Sequence, residues 1–402
     1  MKNYQDQAVN ETRECSKPRV LLFIDWFTPG FRAGGPTRSM VNLIERLKDQ
    51  VDFYVVTRNT DYRDSTPYPG ITPDVWLARD GYHVIYLSSP SMFSIRRSIH
   101  SFLSLSNSKD SHLPKGQIRW NTKAGNPSPI PPFPPSHLQT FSHSHIHTFT
   151  HSHLHPSTNP SILYLNGIWS FFFSILPLFC IRRRQFHKII LSPRGMLSSQ
   201  TWVSSSLKKK LFLRLARFIG IYKDVIFHAT NEQEKEDILK NMGRTVPVQV
   251  LPNLSTAVIS PQQLLQKTPG EASFISIARI APEKNTHFML EVLQQGVEGK
   301  LTLDLYGPVY NEKYWDECKK LIAALPSNIQ VTYHGTLAPE NLPTATSSCH
   351  FLFMPSRGEN FGHSIVECLQ QGLPVLISDK TPWKNLQEKG IGWDLPLDQP
   401  QA

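Results

Sequence analysis

Short apolar, β-branched runs alternate with helical segments along most of the 402-residue chain, and this alternation starts a second time. In the first half, the run RVLLFID at 19–25 is followed by a Gly/Pro-rich loop, an amphipathic segment SMVNLIERLKDQ and a second run VDFYVVT. A buried strand, a helix and another buried strand open a doubly wound parallel sheet. Further strands are predicted at 162–167, 188–195, 225–230 and 246–253.

The second half repeats this pattern after a polar stretch at 255–272, which contains Pro261 and Pro269 and is predicted to be a linker. Its predicted strands lie at 273–279, 300–307, 329–335, 350–356 and 373–378. Strands separated by helices predict a second parallel sheet. The expected fold class is therefore α/β, with two Rossmann-like doubly wound domains facing each other across a cleft. Ligands are expected in this cleft, outside the carboxyl ends of the strands.

These patterns divide the chain into an N-terminal extension at 1–18, a first domain at 19–254, the linker, and a second domain at 273–402. A segment at about 106–160 interrupts the first domain with Pro, Ser and His, and seven of the sixteen histidines lie between His137 and His155. Such a tract could bind a metal. We favour a low-complexity insertion without a packed core, because no acidic or cysteine ligand completes a metal site.

The formal net charge of +10 and the pI near 9.3 predict an anionic partner. The basic residues cluster in short runs at 182–184 and 208–210, next to aromatic and aliphatic residues. Neither run belongs to a nucleic-acid-binding module, so no nucleic-acid partner is expected. Basic clusters of this kind can hold a protein at an anionic membrane surface, although an ordinary solvated helix face explains them equally well.

Cysteine usage and hydropathy predict a cytoplasmic protein. The five cysteines are scattered without a C-x-x-C pair, which is typical of a reducing compartment. The N-terminus shows no apolar core of a secretory signal. The most apolar run, FFFSILPLFCI at 171–181, is too short to span a bilayer and is predicted to form a buried helix.

The stretch SRGENFGHSIVECLQQG places a carboxylate on each side of a predicted helix start, Glu359 before it and Glu367 within it. The backbone N–H groups around Asn360, Phe361 and Gly362 would lack intrahelical acceptors and would bear the positive end of the helix dipole, so a phosphate could bind there. Glu359 could accept hydrogen bonds from hydroxyls beside that phosphate, and Glu367 could accept two ribose hydroxyls. By themselves, the two glutamates could equally stabilise the helix dipole.

A second cluster favours the nucleotide interpretation. The segment SIARIAPEKN ends a predicted strand with Arg279, and Lys284 follows at the expected start of the next helix. Two cations at the carboxyl end of a strand suit a diphosphate, although a solvated basic loop would contain the same residues.

The two glutamates with seven residues between them, followed by GLPVLISD, resemble the signature of family-4 glycosyltransferases, which have the GT-B architecture. The segment ARIAPEKN is similar to the GRL-x-x-EKN segment of that family. Weaker similarities continue in PRGML, HATNEQEKEDI, PNLS, LYGPVYNEKYW and TPWKNL, so the resemblance covers nearly all of residues 19–398. The second half is its specific part.

The resemblance implies transfer of a sugar from a UDP- or GDP-sugar to an acceptor hydroxyl, with retention of configuration and without a metal or other cofactor. No D-x-D motif occurs, which agrees with metal-free diphosphate binding. Arg279 and Lys284 would neutralise the leaving diphosphate, Glu359 would contact the donor sugar and Glu367 the ribose. Gly34 and Gly35 would let the backbone approach the phosphates or the acceptor, although a plain tight turn needs the same glycines.

Departures from the family pattern leave other functions open. Asn166 stands where many relatives have a histidine, His363 is expected only to pack or cap, and the chain ends at Ala402 where relatives continue, so the second domain is expected to be truncated. The acceptor is expected to be a saccharide or a lipid-linked saccharide of surface polysaccharide or lipopolysaccharide synthesis, at the inner face of the membrane. The alternatives are an inactive scaffold of the same fold, a nucleotide-sugar epimerase and a metal binder that uses the histidine tract.

Overall fold

The computed structural model describes residues 17–105, 160–198, 206–256, 265–295 and 298–398. Within these ranges the strands form two separate sheets, one of eight strands and one of six. The predicted two-sheet α/β architecture is therefore confirmed. The Pro/Ser/His-rich segment and the middle of the predicted linker lie outside the described residues, so the predictions made for them stay predictions.

The first sheet contains the strands β1 (Arg19–Phe23), β2 (Asp52–Arg58), β3 (Trp76–Arg79), β4 (Tyr82–Leu87), β5 (Ser161–Asn166), β6 (Lys188–Ser192), β7 (Val225–Ala229) and β8 (Val248–Val250). Their order is β3-β4-β2-β1-β5-β6-β7-β8, and every pair is parallel except β3 with β4. The β3–β4 hairpin was not predicted, although its Asp80-Gly81 turn between two apolar runs is a typical hairpin signal.

The helices of the first domain are α1 (Gly35–Leu47), α2 (Met92–Ser104), α3 (Leu176–Cys180), α4 (Ser206–Phe218) and α5 (Glu232–Met242). Met40 and Ile44 of α1 belong to one core cluster. Helices α2 to α5 contribute buried side chains to a second cluster, so they cover the opposite face of the sheet. The prediction of one buried helix at 171–181 is wrong in part: a π-helical turn at Phe171–Ile175 precedes α3, and Phe171 and Phe179 are each 56% exposed.

The second sheet contains β9 (Glu271–Ile277), β10 (Lys300–Tyr306), β11 (Ile329–Gly335), β12 (Phe351–Met354), β13 (Val375–Ser378) and β14 (Gly392–Leu395). Its order is β11-β10-β9-β12-β13-β14, and all pairs are parallel. The helices are α6 (Thr286–Gln294), α7 (Glu312–Ala323), α8 (Leu342–Ser347) and α9 (His363–Gln370). Separate apolar clusters form on the two faces of this sheet, as expected for a doubly wound domain.

Each sheet has a point where the strand order reverses direction. In the first sheet the chain runs outward from β1 through β2 and later returns to β5 on the other side of β1. In the second sheet β10 lies on one side of β9, and the chain later returns to place β12 on the other side. A crevice opens outside the carboxyl ends of the strands at such a point, and ligands of open α/β sheets bind there. The loops after β1, β9 and β12 are therefore the expected binding loops.

Candidate active site

The N-terminal turns of α1 and α9 lie side by side across the cleft. A Cβ placed on Gly35 would lie 3.8 Å from Cδ2 of His363, and the Ser39 hydroxyl is 2.8 Å from Nε2 of His363. Gly34 and Gly362, the residues that precede the two helices, both have positive φ and cannot provide a side-chain cap. The uncapped N–H groups and the positive ends of two helix dipoles therefore lie close together, which favours an anion.

His363 stays neutral in this position. Burial, together with the nearby guanidinium groups of Arg38 and Arg194, lowers the pKa of its imidazole to about 3. The ring therefore contributes a hydrogen bond to Ser39 rather than a positive charge. The prediction that His363 only packs or caps is too narrow, since the side chain also links the two domains.

Lys284 and Glu359 form a largely buried ion pair, with Nζ 2.5 Å from Oε1 and side-chain exposures of 15% and 10%. Their backbone positions are set by two loops of the second domain. Lys284 ends a single 3₁₀ turn at Pro282–Lys284, because Asn285 adopts a left-handed conformation with φ 61°. The loop that contains Glu359 is attached to this turn by the hydrogen bond from Arg357 N–H to the Glu283 carbonyl, at 3.0 Å. The two predicted site residues are thus brought together.

Arg279 makes different contacts. Its guanidinium lies 3.3 Å from Oε1 of Glu283 and 4.8 Å from the ring centre of Tyr310. The Tyr310 ring in turn stacks on Tyr62 of the first domain at 4.9 Å, and Arg63 donates hydrogen bonds to the carbonyls of Val309 and Tyr310. Arg279 therefore lies beside an aromatic contact between the domains and pairs with Glu283 rather than with Glu359.

Glu367 makes its side-chain contacts with residues outside its own domain, Arg38 of the first domain and Thr256. Its Oε1 lies 2.6 Å from Nε of Arg38, which is one turn into α1, and 3.4 Å from the Thr256 hydroxyl. Burial raises the pKa of the Glu367 carboxyl, while Arg38 and Thr256 act in the opposite direction. The carboxylate predicted to accept ribose hydroxyls is therefore paired with an arginine of the first domain.

The three residues that follow Glu359 are held by both domains. Asn231 of the first domain donates a hydrogen bond to the Asn360 carbonyl at 2.7 Å, and Trp383 donates one to the Phe361 carbonyl at 2.6 Å. Gly362 adopts φ 77° and ψ 66°, and an added Cβ would lie 2.8 Å from Ile365. Among the described residues, Nδ2 of Asn360 is buried without a hydrogen-bond partner, so a donor is left over beside the helix start.

A polar network at the carboxyl ends of β5 and β6 completes the first-domain side. Arg194, which adopts φ 56°, donates to Asn166 Oδ1 at 2.7 Å, to the Tyr164 hydroxyl at 3.0 Å and to Asn253. The Tyr164 hydroxyl also lies 2.6 Å from Nδ1 of His228. Asn166, which stands where many relatives have a histidine, is therefore buried and engaged by Arg194.

Five site residues were not among the predicted ones: Arg38, Ser39, Arg194, Asn231 and Thr256. Arg194 and Asn231 lie in the weakly similar segments PRGML and HATNEQEKEDI, and the other three lie in no local motif. Arg38 and Ser39 could have been found only from their spacing to Gly34 and Gly35, which places them one turn inside the same helix. Within the described ranges, no group of three or more His, Cys, Asp or Glu side chains is placed to hold a metal ion.

Part of the chain is similar in sequence to known glycosyltransferases. Residues 260–390 match the family model described as glycosyl transferases group 1. Sulfoquinovosyl transferase SQD2 of Arabidopsis thaliana is 28% identical over 108 residues, which are 27% of this chain and 19% of that protein. The chain thus matches about a fifth of the length of this curated relative.

Solved structures with a similar fold cover most of the chain. Sucrose-phosphate synthase from Thermosynechococcus elongatus has a TM-score of 0.59 at 14% identity, covering 96% of this chain and 88% of that one. HepE from Anabaena, solved with UDP and glucose, has a TM-score of 0.54 at 13% identity, covering 90% and 80%. WaaG, a glycosyltransferase involved in lipopolysaccharide biosynthesis, has a TM-score of 0.51 at 11% identity, covering 95% and 88%. The fold is GT-B.

Proposed function

We propose that this protein is a group 1 glycosyltransferase of the family-4 type, which moves a sugar from a UDP- or GDP-sugar to an acceptor hydroxyl. The observation that carries this proposal is the meeting of two uncapped helix starts, α1 and α9, beside the Lys284–Glu359 pair. A nucleoside diphosphate is the ligand that suits two dipole ends and a lysine at a strand reversal.

In this proposal the bond between the anomeric carbon and the diphosphate oxygen breaks, and the acceptor oxygen bonds to the same carbon with retention of configuration. The proton of the acceptor hydroxyl leaves with the nucleoside diphosphate. Negative charge grows on the leaving group, so fixed donors aimed at it lower the barrier. Lys284 and the N–H groups at Gly35, Asn360, Phe361 and Gly362 supply these donors, while Gly34, whose N–H donates to the Phe31 carbonyl, lets the backbone approach the ligand. Arg279 adds a second cation, and the reaction needs no metal or other cofactor.

The two glutamates have separate roles. Glu359, held by Lys284, accepts hydrogen bonds from the hydroxyls of the donor sugar. Glu367 accepts the ribose hydroxyls, and for this the ion pair with Arg38 has to open. Nucleotide binding and the contact between the domains are therefore linked, because one carboxylate takes part in both.

The pathway is inferred from the structural neighbours. WaaG acts in lipopolysaccharide biosynthesis, and HepE was solved with UDP-glucose. We place this protein in surface polysaccharide or lipopolysaccharide synthesis, with a saccharide or lipid-linked saccharide acceptor at the cytoplasmic face of a membrane. Within the described residues, no helix combines the length and the apolarity needed to cross a bilayer.

Thermal-shift titration with UDP, GDP, ADP and their sugars tests the proposal. We expect one nucleotide class to raise the melting temperature of the wild type and the Glu367→Ala variant to lose that response. Arg38→Ala is the matched control, since it breaks the same ion pair but keeps the carboxylate, and it should retain a response. Each shift is measured against the ligand-free melting temperature of the same variant.

Three results would contradict parts of this proposal. An unchanged response in Glu367→Ala would refute the ribose role of that residue. If no nucleotide stabilises the wild type, the inactive-scaffold alternative replaces the proposal. If the donor is converted to an isomeric nucleotide sugar without any acceptor, the protein is an epimerase.

A further inference from the structure

Helix α4 turns a row of large apolar side chains towards solvent. Leu207 is 80% exposed and Phe218 is 90% exposed, and Leu211, Leu215 and Ile219 are also more than half exposed. At about 100° per residue, positions 207, 211, 215 and 218 fall on one stripe of the helix. The buried Leu213 and Ala216 lie on the other side, in the core of the first domain. Helix α4 therefore has two apolar faces: one is buried in the core of the first domain, and the other is the exposed stripe.

The charges of α4 border this stripe. The helix carries five basic residues and no Asp or Glu: Lys208, Lys209, Lys210, Arg214 and Arg217. By the helical period, Lys208 lies on one side of the stripe, and Arg214, Lys210 and Arg217 lie on the other. Lys209 points away from it, with its Nζ 5.5 Å from the ring centre of Trp169. The outer face of α4 is thus apolar along its middle and positive at its margins.

The second basic run lies beside the end of this helix. Arg183 donates hydrogen bonds to the carbonyls of Gly220 and Ile221, at 3.1 Å and 2.7 Å, and so joins the turn at 182–185 to the loop after α4. Arg182 and Arg184 are exposed on either side of it, and Phe179 is exposed just before. The 182–184 run, which is separate from α4 in the sequence, therefore lies beside the C-terminal end of this helix and its apolar stripe.

We propose that this surface, the outer face of α4 with Phe179 and the 182–184 run, docks on an anionic lipid bilayer. A helix with an apolar stripe and basic margins lies in the membrane interface, with its apolar side chains among the acyl chains and its cations at the anionic headgroups. A second copy of the chain is disfavoured as the occupant, because two faces with the same positive charge would meet. The inference does not depend on sugar transfer.

Co-sedimentation of the full chain with vesicles tests this inference without any measurement of turnover. We expect much stronger binding to phosphatidylcholine vesicles that contain phosphatidylglycerol than to pure phosphatidylcholine, and weaker binding as salt is raised. Leu211→Glu/Phe218→Glu should lower the partition coefficient at least tenfold. Lys208→Glu/Arg214→Glu should lower it at least fivefold for each residue changed, since a basic residue near the surface contributes about a factor of five.

Matched controls lie on other faces of the molecule. Val75→Glu changes an exposed apolar residue at the far edge of the first sheet, and Lys320→Glu changes an exposed lysine of α7, so both should bind vesicles like the wild type. Equal binding of the wild type to neutral and anionic vesicles, or unchanged binding in both α4 variants, would overturn the proposal. So would a wild-type dimer in light scattering that Leu211→Glu/Phe218→Glu converts to monomer without any vesicle binding.

Discussion

The two domains contribute to the cleft in different ways. In the second domain the site residues lie in recognisable motifs, and Lys284 and Glu359 pair with each other inside that domain. In the first domain the contributing side chains, such as Arg38 and Ser39, belong to no local motif and make their contacts with the second domain. The second domain thus has a site that is formed by itself, while the first domain completes it only when the cleft is closed.

Because of this difference, we expect variants of the two ion pairs to have different effects. A change in the Lys284–Glu359 pair should act on the chemistry whether the cleft is open or closed. A change in the Arg38–Glu367 pair should act on the contact between the domains and on nucleotide binding together. The four predictions below test this separation, from the largest expected effect to the smallest.

Lys284→Ala should lower kcat/KM for the preferred donor by about 10²–10³-fold, as expected when one donor to a developing charge is removed. The measurement is release of the nucleoside diphosphate at several donor concentrations. Since the variant also leaves Glu359 without its partner, Lys284→Ala/Glu359→Gln serves as the second variant and should be more stable but equally slow. Recovery of activity in that double variant would show that Lys284 only neutralises Glu359.

Arg38→Ala and Glu367→Ala should be coupled. Each single change breaks the ion pair between the domains and leaves a buried group alone, so the double variant should lose less stability than the sum of the two. We expect a coupling free energy of about 1–3 kcal/mol from urea unfolding of the four proteins. Additive losses would show that the pair does not hold the domains together.

Gly195→Ala should weaken closure of the cleft. Gly195 has φ 73°, and an added Cβ would lie 3.0 Å from the Asn360 side chain. Gly70→Ala is a matched control, because Gly70 has φ 71° and no atom within 4 Å of the added Cβ. Both variants should lose about 1–2 kcal/mol of unfolding free energy from the left-handed backbone. Only Gly195→Ala should also bind the nucleotide several-fold more weakly, as measured by calorimetry.

Acidification should destabilise the protein partly through His363. Its pKa is about 3 in the folded state, against the ordinary 6.5. Above pH 6.5 the ring is neutral in both the folded and the unfolded state. As the pH falls from 6.5 towards 3, the unfolded state binds the proton more readily than the folded state, so the free energy of unfolding decreases. The slope from this group is at most about 1.4 kcal/mol per pH unit. His363→Asn should reduce the loss between pH 7.5 and 5.5 in urea unfolding; an identical loss would show that the ring is protonated without cost.

Much of the fold could be predicted because apolar runs and helical segments are local signals. The alternation of apolar runs with helical segments predicted the ends of the central strands of both sheets to within a few residues. The β3–β4 hairpin was missed although its Asp80-Gly81 turn between two apolar runs is a local signal. The short strand β14, at the edge of the second sheet, was missed because its residues are mixed in polarity. The exposed Phe171 and Phe179 were misjudged for a related reason: an apolar run does not tell which of its side chains faces outward.

The sequence by itself determined the doubly wound pattern and the motif residues Glu359, Glu367, Arg279 and Lys284, because spacing along one chain fixes where a strand ends and a helix begins. Tertiary structure alone decided that Lys284 pairs with Glu359, that Arg38 pairs with Glu367 across the cleft, and that the 182–184 run lies beside the end of α4. These contacts join residues as far as 329 positions apart. Only the packing of the two sheets can bring such residues together, since no local pattern encodes a partner at that distance.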